Sequence, residues 1–367
     1  MPVGHTADTA ENADTADAEA TVTDALIVGA GPVGLFQVFE LGLLGMTAQV
    51  VDTLPHAGGQ CAALYGDKPI YDIPGLPFCT GQELTDRLLQ QIRPFAAGFH
   101  LGQEVADVHQ RDDGRFAVAT STGSRFVATV VIVAGGVGSF RPRTLKIDGL
   151  AKYEGTQLFH HAVDPSSMVG ERVVVVGAGE EALALAVQCA SEGAQRAASV
   201  LLLHRRDDFR ASPATLAQFE MLREAGRIQF IAGQVTGLEE SPDRLRGLLV
   251  QGSDGSAHTV PVDRLLVCLG LSPQLGPIAH WGLGLDRKQV NVDTEKFQTS
   301  TPGIFAVGDI NVYPGKKKLI LCGFHEATLA AYGAAQIVFP GRDTPLLYTT
   351  SSSQLHRRLG VTSPDLD

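Results

Sequence analysis

The sequence predicts an α/β protein built from two Rossmann-like domains. Two segments, "ALIVGAGPVGL" from Ala25 and "RVVVVGAGEEAL" from Arg172, repeat the same order of a β-branched apolar run, a glycine-rich turn and a helical pattern. Short apolar runs of this kind are typical of buried parallel strands. The length of 367 residues also favours two domains over one. We therefore expect two nucleotide-binding folds in one chain.

Composition and charge exclude several classes of function. The net charge of -11 argues against general binding to nucleic acids. No apolar run approaches the roughly 20 residues of a membrane-spanning helix, so no membrane association is expected. Residues 1–24 are rich in Ala, Thr, Asp and Glu and lack the basic start and apolar centre of a secretory signal. We interpret them as a disordered acidic tail.

The cysteines indicate a reducing compartment. An odd number without CxxC spacing fits reduced thiols in the cytoplasm better than a disulfide framework or a metal site, and no metal is expected. The five positions are Cys61, Cys79, Cys189, Cys268 and Cys322.

The first glycine-rich turn predicts a site for FAD or NAD. Gly29, Gly31 and Gly34 allow the chain to turn tightly and to approach a pyrophosphate, whose charge faces the helix N-terminus. The next strand, "TAQVVD", ends in Asp52. A carboxylate about 20 residues after the turn accepts hydrogen bonds from a ribose 2′-hydroxyl and repels a 2′-phosphate.

The second glycine-rich turn is followed by cations instead. Its next strand, "SVLLLHRRDDF", ends in a histidine and two arginines, and guanidinium groups bind phosphate oxygens in a forked geometry. We therefore expect this turn to prefer NADPH, although the arginines could instead belong to an ordinary solvated loop. The expected NADP(H) contacts are Gly177, Gly179, Glu180, His204, Arg205 and Arg206.

Two further apolar strands mark the domain boundaries. "ATVVIVAGGVGSFRPR" (128–143) and "DRLLVCLGLSPQ" (263–274) both end in glycine and a proline-containing turn. We interpret the first as the crossing into the second domain and the other as the return. The predicted first domain covers 25–138 and 265–367, and the second covers 139–264. Two crossings make a hinge between domains.

The segment "GIFAVGDINVY" resembles the end of another strand with an acid at its tip. Ile304–Val307 is the predicted strand, and the Asp309 carboxylate could hold a hydroxyl of a flavin ribityl chain. A helix is expected to start near Gly323–Glu326, with its positive end suited to the N1–O2 edge of a reduced flavin. His325 is interpreted as a helix cap.

Several motifs together resemble the thioredoxin-reductase-like ferredoxin–NADP reductases: "GAGPVGL", "GGQCAALYGDK", "IYDIPG", "HRRDDFRAS" and "GIFAVGD". The resemblance runs from about Asp24 to the end. It implies two three-layer ββα domains, FAD and NADP(H) as cofactors, a homodimer, and ferredoxin or flavodoxin as partner. In related disulfide reductases two cysteines follow the Gly-Gly pair, but here Gly66 stands where a partner for Cys61 is expected. We interpret Cys61 as a buried structural cysteine.

The resemblance also implies individual flavin contacts. In the family, a C-terminal extension, here from about residue 343, reaches the flavin of the partner subunit, where Tyr348 would stack on the ring; the alternative is a frayed tail. Tyr65 would also lie near the isoalloxazine ring, and the backbone of Val105 would meet the adenine. The implied FAD contacts, beyond the glycine turn, are Asp52, Gln60, Tyr65, Val105, Phe140, Asp309 and Thr350.

These features predict a ferredoxin (or flavodoxin)–NADP⁺ reductase, which exchanges a hydride with NADP(H) at FAD N5 and single electrons with the carrier. The alternatives are another NADPH-dependent flavin reductase, acting on disulfides, quinones or peroxides, and a non-catalytic flavin redox sensor. Because the protein is acidic, docking of an acidic carrier needs a local basic patch, although "GKKKL" could be a solvated loop. The candidate docking cations are Arg141, Arg143, Lys146, Lys316, Lys317, Lys318, Arg357 and Arg358.

Overall fold

Two compact units make up the chain. The computed structural model describes residues 20–160, 165–191 and 197–362. The first unit runs to Ser139 and resumes at Gln274, and the second is Phe140–Pro273. The structural return at Gln274 comes later than the predicted return at 265, because the strand Arg264–Val267 pairs within the sheet of the second unit.

Strands and helices follow one another in three stretches. The first unit begins with β1 (Thr21–Val28), α1 (Pro32–Leu44), β2 (Ala48–Asp52), α2 (Gly59–Tyr65), β3 (Pro69–Ile70), β4 (Cys79–Thr80), α3 (Gly81–Ile92), β5 (Gly98–Leu101), β6 (Val105–Gln110), β7 (Phe116–Thr120) and β8 (Arg125–Val133). The second unit and its two crossing strands comprise β9 (Ser139–Pro142), β10 (Leu158–Phe159), β11 (Arg172–Val176), α4 (Glu180–Ala190), β12 (Ser199–His204), α5 (Pro213–Glu224), β13 (Ile228–Ser241), β14 (Arg244–Gly252), β15 (Ala257–Pro261), β16 (Arg264–Val267) and β17 (Leu271–Gln274). The first unit then resumes with β18 (Leu285–Asp286), β19 (Gln289–Asn291), β20 (Ile304–Ala306), β21 (Asn311–Val312), α6 (Ile320–Val338) and α7 (Ser353–Leu359).

The sheet of the first unit has the strand order β5-β2-β1-β8-β7-β6, with β20 also paired to β8. Strand β1 lies between two parallel neighbours, and Ala25, Leu26 and Ile27 are fully buried. Ala25 and Ile27 pack with the apolar side of α1 and with the alanines of α6, whereas Leu26 packs with the antiparallel strands β6–β8. The apolar run is therefore buried on both faces, as a continuous β-branched run predicts.

The start of β1 corrects the predicted boundary of the N-terminal tail. Residues 1–19 of that tail lie outside the described residues, but Thr21, Val22 and Thr23 belong to β1 and pair with the first residues of β8. The prediction of disorder up to residue 24 is therefore wrong. Strand β8 is long enough to offer backbone partners to these residues, whose β-branched side chains suit a strand.

The second unit repeats the arrangement of the first. Its strand order is β10-β16-β11-β12-β13-β14-β15, parallel from β10 to β13 and antiparallel from there to β15. Each predicted glycine-rich turn joins a central parallel strand to a helix, β1 to α1 and β11 to α4. The predicted α/β class with two Rossmann-like units is confirmed. Within the described ranges, no helix has the length and apolar character needed to cross a membrane.

Candidate nucleotide sites

The turn between β1 and α1 leaves its backbone open to a ligand. Gly29 has a φ of 116°, and a Cβ there would overlap the carbonyl oxygen of Ala134. A Cβ on Gly34 would overlap the carbonyl oxygen of Gly29, so α1 can approach β1 closely only with glycine here. Helix α1 begins after Gly31, and among the described residues no side chain caps its first turn. Its free N–H groups are therefore available to a pyrophosphate.

Asp52 stands at the end of β2, beside this turn. One carboxylate oxygen accepts a hydrogen bond from the Ala30 N–H at 2.6 Å, and the other accepts one from Leu54 N–H at 2.8 Å. Burial raises the pKa of Asp52, and these hydrogen bonds oppose the rise. The Gln103 N–H donates to the Asp52 carbonyl, which brings the segment before Val105 to the same sheet edge. The predicted ribose and adenine contacts are thus neighbours.

Helix α2 carries the predicted flavin contacts Gln60 and Tyr65. A Cβ on Gly136 would lie 3.0 Å from the Gln60 amide nitrogen, so Gln60 borders the loop after β8. Tyr65 is half-buried, and burial together with the charges of Asp309 and Asp72 raises its pKa. Gln60 and Tyr65 are both half-buried, so both side chains remain partly accessible on this helix.

Cys61 does not have the properties of a catalytic thiol. Its side chain is 2% exposed, and its sulfur lies 3.4 Å from the Tyr65 hydroxyl oxygen. Burial raises the pKa of the Cys61 thiol, whereas nucleophilic cysteines have a lowered pKa. The predicted burial of Cys61 is confirmed.

Asp309 follows a sharp turn at Gly308, after β20. Gly308 has a φ of 79°, in the left-handed region that favours glycine. Burial raises the pKa of the half-buried Asp309, and the charges of Lys316 and Lys318 oppose the rise. Helix α6 begins at Ile320, so the predicted start near Gly323–Glu326 is wrong. Gly323 lies inside the helix, at a position where a Cβ would overlap the Val33 side chain of α1.

Sequence reasoning missed an ion pair next to this turn and assigned one of its members wrongly. Lys316, a predicted docking cation, is only 6% exposed and pairs with the fully buried Glu326. It is therefore not available at the surface. The sequence did contain a signal for this ion pair. Glu326 lies among the buried alanines and glycines of α6, where a carboxylate needs a partner.

The turn between β11 and α4 is open at its second glycine. A Cβ on Gly177 would overlap the carbonyl oxygen of Cys268, whereas a Cβ on Gly179 would have no neighbour within 4 Å among the described residues. The loop after β12 folds back onto this turn, since the Arg210 N–H donates to the Ala178 carbonyl at 2.8 Å. The backbone at Gly179 can thus be approached closely by a phosphate.

The tip of β12 carries cations that remain exposed. In the described part of the chain, neither Arg205 nor Arg206 has a hydrogen-bond or ion-pair partner. The acid that follows, Asp207, is occupied by a two-fold ion pair with Arg223, at 3.0 and 2.8 Å. Burial and the two arginine charges lower the pKa of His204. A further exposed arginine, Arg210 of "HRRDDFRAS", was missed as a candidate.

Glu180 forms hydrogen bonds to the segment that follows the arginine loop. Its carboxylate accepts hydrogen bonds from the Ser212 N–H at 2.5 Å and from the Thr215 hydroxyl at 2.6 Å, at the start of α5. These bonds lower the pKa of Glu180. The carboxylate therefore ties the glycine-rich turn to the loop that carries the arginines.

The C-terminal extension lies away from the first glycine-rich turn of its own chain. Tyr348 is 66% exposed and Thr350 is exposed. Leu347 borders a cavity of about 280 Å³ with Leu43 at the C-terminal end of α1. A helix of 13 residues is roughly 20 Å long, and the turn lies at its other end. The structure does not bring Tyr348 and Thr350 to the other flavin candidates, and the Phe140 side chain lies outside the described residues.

The remaining docking candidates differ in exposure. The Arg358 guanidinium donates to the Leu43 carbonyl, and burial lowers the pKa of Arg358, so it caps α1 and is not a free cation. The Arg141 side chain lies outside the described residues. The exposed candidates are Arg143, Lys146, Lys317, Lys318 and Arg357.

The open backbone of both glycine-rich turns fits the pyrophosphate of a dinucleotide, and comparisons with known proteins identify the family of the chain. Residues 23–332 match the model of the pyridine nucleotide-disulphide oxidoreductase family. The chain is 59% identical over 345 residues to a ferredoxin–NADP reductase of Methylibium petroleiphilum, covering 94% of each chain. It is 58% identical over 363 residues to ferredoxin–NADP reductase 2 of Cupriavidus pinatubonensis, covering 98% of each chain.

A solved structure supports the fold alone. Thioredoxin reductase of Lactococcus lactis matches with a TM-score of 0.54 and 21% identity, over 86% of this chain and 99% of that chain. The family match and the close relatives confirm the resemblance that the motifs predict. The chain therefore belongs to the pyridine nucleotide-disulphide oxidoreductase family, as an FAD- and NADP(H)-dependent oxidoreductase grouped with the ferredoxin–NADP reductases.

Proposed function

We propose that the first unit binds FAD, that the second binds NADP(H), and that the protein passes electrons between NADP(H) and ferredoxin or flavodoxin. One observation carries the assignment of the sites. The strand after the first glycine-rich turn ends in a carboxylate, Asp52. The strand after the second ends at His204 and is followed by Arg205 and Arg206, which have no ion-pair partner within the described ranges. The carboxylate suits a ribose without a phosphate, and the guanidinium groups suit a 2′-phosphate.

Different residues of the first unit would contact different parts of the FAD molecule. The N-terminus of α1 faces the pyrophosphate, Asp52 the adenine ribose and the segment at Val105 the adenine. Asp309 would hold the ribityl chain, and Gln60 and Tyr65 the isoalloxazine ring. When bound, FAD supplies chemistry that the side chains lack, since it accepts electrons in pairs and releases them singly.

The residues of the second unit would orient NADP(H) and select it against NAD(H). Arg205 and Arg206 are placed for the 2′-phosphate, and Arg210 adds a third cation on the same loop. Gly179 leaves room for the pyrophosphate at the start of α4. Glu180 holds the loop in place through its hydrogen bonds to Ser212 and Thr215 and remains a predicted NADP(H) contact.

The state of the cysteines supports a protein carrier rather than a disulfide as acceptor. All five cysteines lie within the described ranges and are free thiols, four of them buried. Burial raises the pKa of Cys189 to about 11 and that of Cys268 to about 12, so neither is an activated thiolate. Free thiols also agree with a cytoplasmic location.

The exposed extension supports a homodimer. Tyr348 and Thr350 are far from the glycine-rich turn of their own chain, so they would serve the flavin of a partner subunit. In that arrangement the Tyr348 ring shields the partner's flavin.

Reduction of cytochrome c by NADPH, with and without ferredoxin or flavodoxin, tests the proposed reaction. We expect the rate to depend on the carrier and to fall as salt rises, because exposed cations such as Lys317 and Lys318 would guide docking. Carrier-independent turnover of a quinone, disulfide or peroxide would favour another flavin reductase. Absence of turnover with every acceptor would favour a redox sensor.

A further inference from the structure

A buried ion pair stands beside the predicted ribityl contact. Glu326 is fully buried in α6, and its carboxylate receives four hydrogen bonds. The donors are Gly308 N–H at 2.7 Å, the Asn311 amide at 2.8 Å, the Tyr313 hydroxyl at 2.9 Å and Lys316 Nζ at 2.5 Å. An ionised carboxylate has acceptor sites for all four, whereas a protonated acid or an amide would oppose one donor with another.

The pair holds one backbone residue from both sides. Glu326 accepts from the N–H of Gly308, and Lys316 donates to the carbonyl of Gly308 at 2.8 Å. Gly308 adopts a left-handed conformation that sets the direction of the next residue, Asp309. We call Lys316 and Glu326 the Gly308 clamp.

Packing alone does not account for a charged clamp. Apolar residues of similar volume often replace a buried ion pair with no loss of stability, because burying two charges is costly. Apolar side chains could not bind the N–H and the carbonyl of Gly308, and that contact is what the charges add. The clamp also places the Lys316 cation near Asp309. Among the described contacts, Lys316 forms its ion pair with Glu326 and not with Asp309.

We propose that Lys316 and Glu326 are positioning residues, which fix the Asp309 carboxylate in the orientation that binds the ribityl chain of FAD. This inference rests on the proposed location of FAD in the first unit. The clamp acts through the backbone of Gly308, so its removal should impair FAD binding only while Asp309 is present.

Titration of the apo-protein with FAD, followed by flavin fluorescence, measures this effect. We expect Lys316→Met to raise the Kd for FAD at least about tenfold, the loss of one charge-assisted contact. Lys316→Arg keeps the cation and should restore most of the affinity. Lys317→Met removes the same charge from an exposed neighbour and should change the Kd less than about twofold.

Two further variants separate positioning from general loss of structure. Tyr313→Phe removes a donor to the Glu326 carboxylate but no bond to Gly308, so it should affect FAD binding much less than Lys316→Met. In an Asp309→Asn background, Lys316→Met should have almost no additional effect, since coupled residues are not additive. Equal effects of Lys316→Met with and without Asp309, or an equal loss in Tyr313→Phe, would overturn the inference.

Controls distinguish the possible failures. Thermal unfolding of each apo-variant reports whether the first unit, in which the clamp lies, is folded. If Lys316→Met does not fold, Glu326→Asp in the same two backgrounds gives the same comparison, because it keeps the charge but draws the carboxylate back from Gly308. Wild-type protein that fails to bind FAD would contradict the proposed function, whereas tight binding by wild type and by all clamp variants would contradict only this inference.

Discussion

In the proposed function, single side chains at the strand tips determine which nucleotide each unit prefers. Asp52 is held by backbone N–H groups and presents negative charge, and Arg205 and Arg206 present positive charge without a protein partner within the described chain. The ion pair with Arg223 occupies Asp207, the nearer in sequence of the two acids that follow the arginines, Asp207 and Asp208. Selectivity therefore rests on very few groups.

Replacing Arg205 and Arg206 together by Ala should raise the KM for NADPH roughly 100-fold, since each charge-assisted hydrogen bond contributes about 1.5–3 kcal/mol. The KM for NADH should change little, because NADH lacks the 2′-phosphate. Steady-state kinetics with both nucleotides measure this. Arg246→Ala, which removes an exposed arginine from the same unit, is the control, and equal losses for NADPH and NADH would refute the assignment.

At the scale of elements, single residues determine how closely neighbouring helices and strands pack. Helix α1 can lie close to β1 only because Gly34 has no Cβ, and helix α6 can lie close to α1 only because Gly323 has none. In the second unit, Asp263 joins the start of β11 to β16 through the Arg172 side chain at 2.7 Å and backbone N–H at 3.0 Å. We therefore expect substitutions at these residues to change the stability of the fold.

Gly34→Ala and Gly179→Ala should fail in different ways. The new Cβ of Gly34→Ala overlaps the Gly29 carbonyl, so we expect the apo-protein to lose about 1–3 kcal/mol of stability and much of its FAD affinity. Gly179→Ala has open space and should fold normally, yet bind NADP⁺ weakly because the methyl group occupies the path of the pyrophosphate. Thermal unfolding of apo-protein and NADP⁺ titration distinguish the two, and a Gly34→Ala protein as stable as wild type would contradict the packing argument.

Asp263→Asn should destabilise the second unit in a pH-dependent way. Hydrogen bonds from Arg172 hold the pKa of Asp263 well below its usual 3.8. A lowered folded pKa stabilises the fold above the unfolded pKa, and this stabilisation is lost as pH falls through the folded value. The deficit of Asp263→Asn, about 2 kcal/mol at pH 7, should therefore begin to shrink below about pH 4 and continue to shrink toward pH 2 in urea unfolding. Asp243→Asn, at an exposed site, should show no such trend.

At the scale of the whole molecule, the C-terminal extension lies away from the first glycine-rich turn of its own chain. The hydrogen bond from Arg358 to the Leu43 carbonyl anchors it at the end of α1 that lies away from the glycine-rich turn. Tyr348 is 66% exposed and is therefore available to the partner subunit that we propose.

Sedimentation should therefore give twice the chain mass of 38.8 kDa. Tyr348→Ala should retain FAD but oxidise NADPH with oxygen faster, because the ring no longer covers the partner's flavin, and Tyr348→Phe should behave as wild type. The oxidase rate without a carrier measures this. A monomer in solution, or an unchanged rate in Tyr348→Ala, would argue against the stacking role.

The sequence by itself determined the two strand–turn–helix units and the opposite charges at Asp52 and at Arg205 and Arg206. These features are local: hydrophobic period, glycine spacing and side-chain charge act within about 20 to 30 residues. Tertiary structure alone decided that Lys316 is buried against Glu326, that Thr21 begins a strand beside Phe126, and that the second unit extends to Pro273. Each of these depends on a partner that is distant in sequence, and whether a charge is buried or a strand is paired is set by the segment that packs against it.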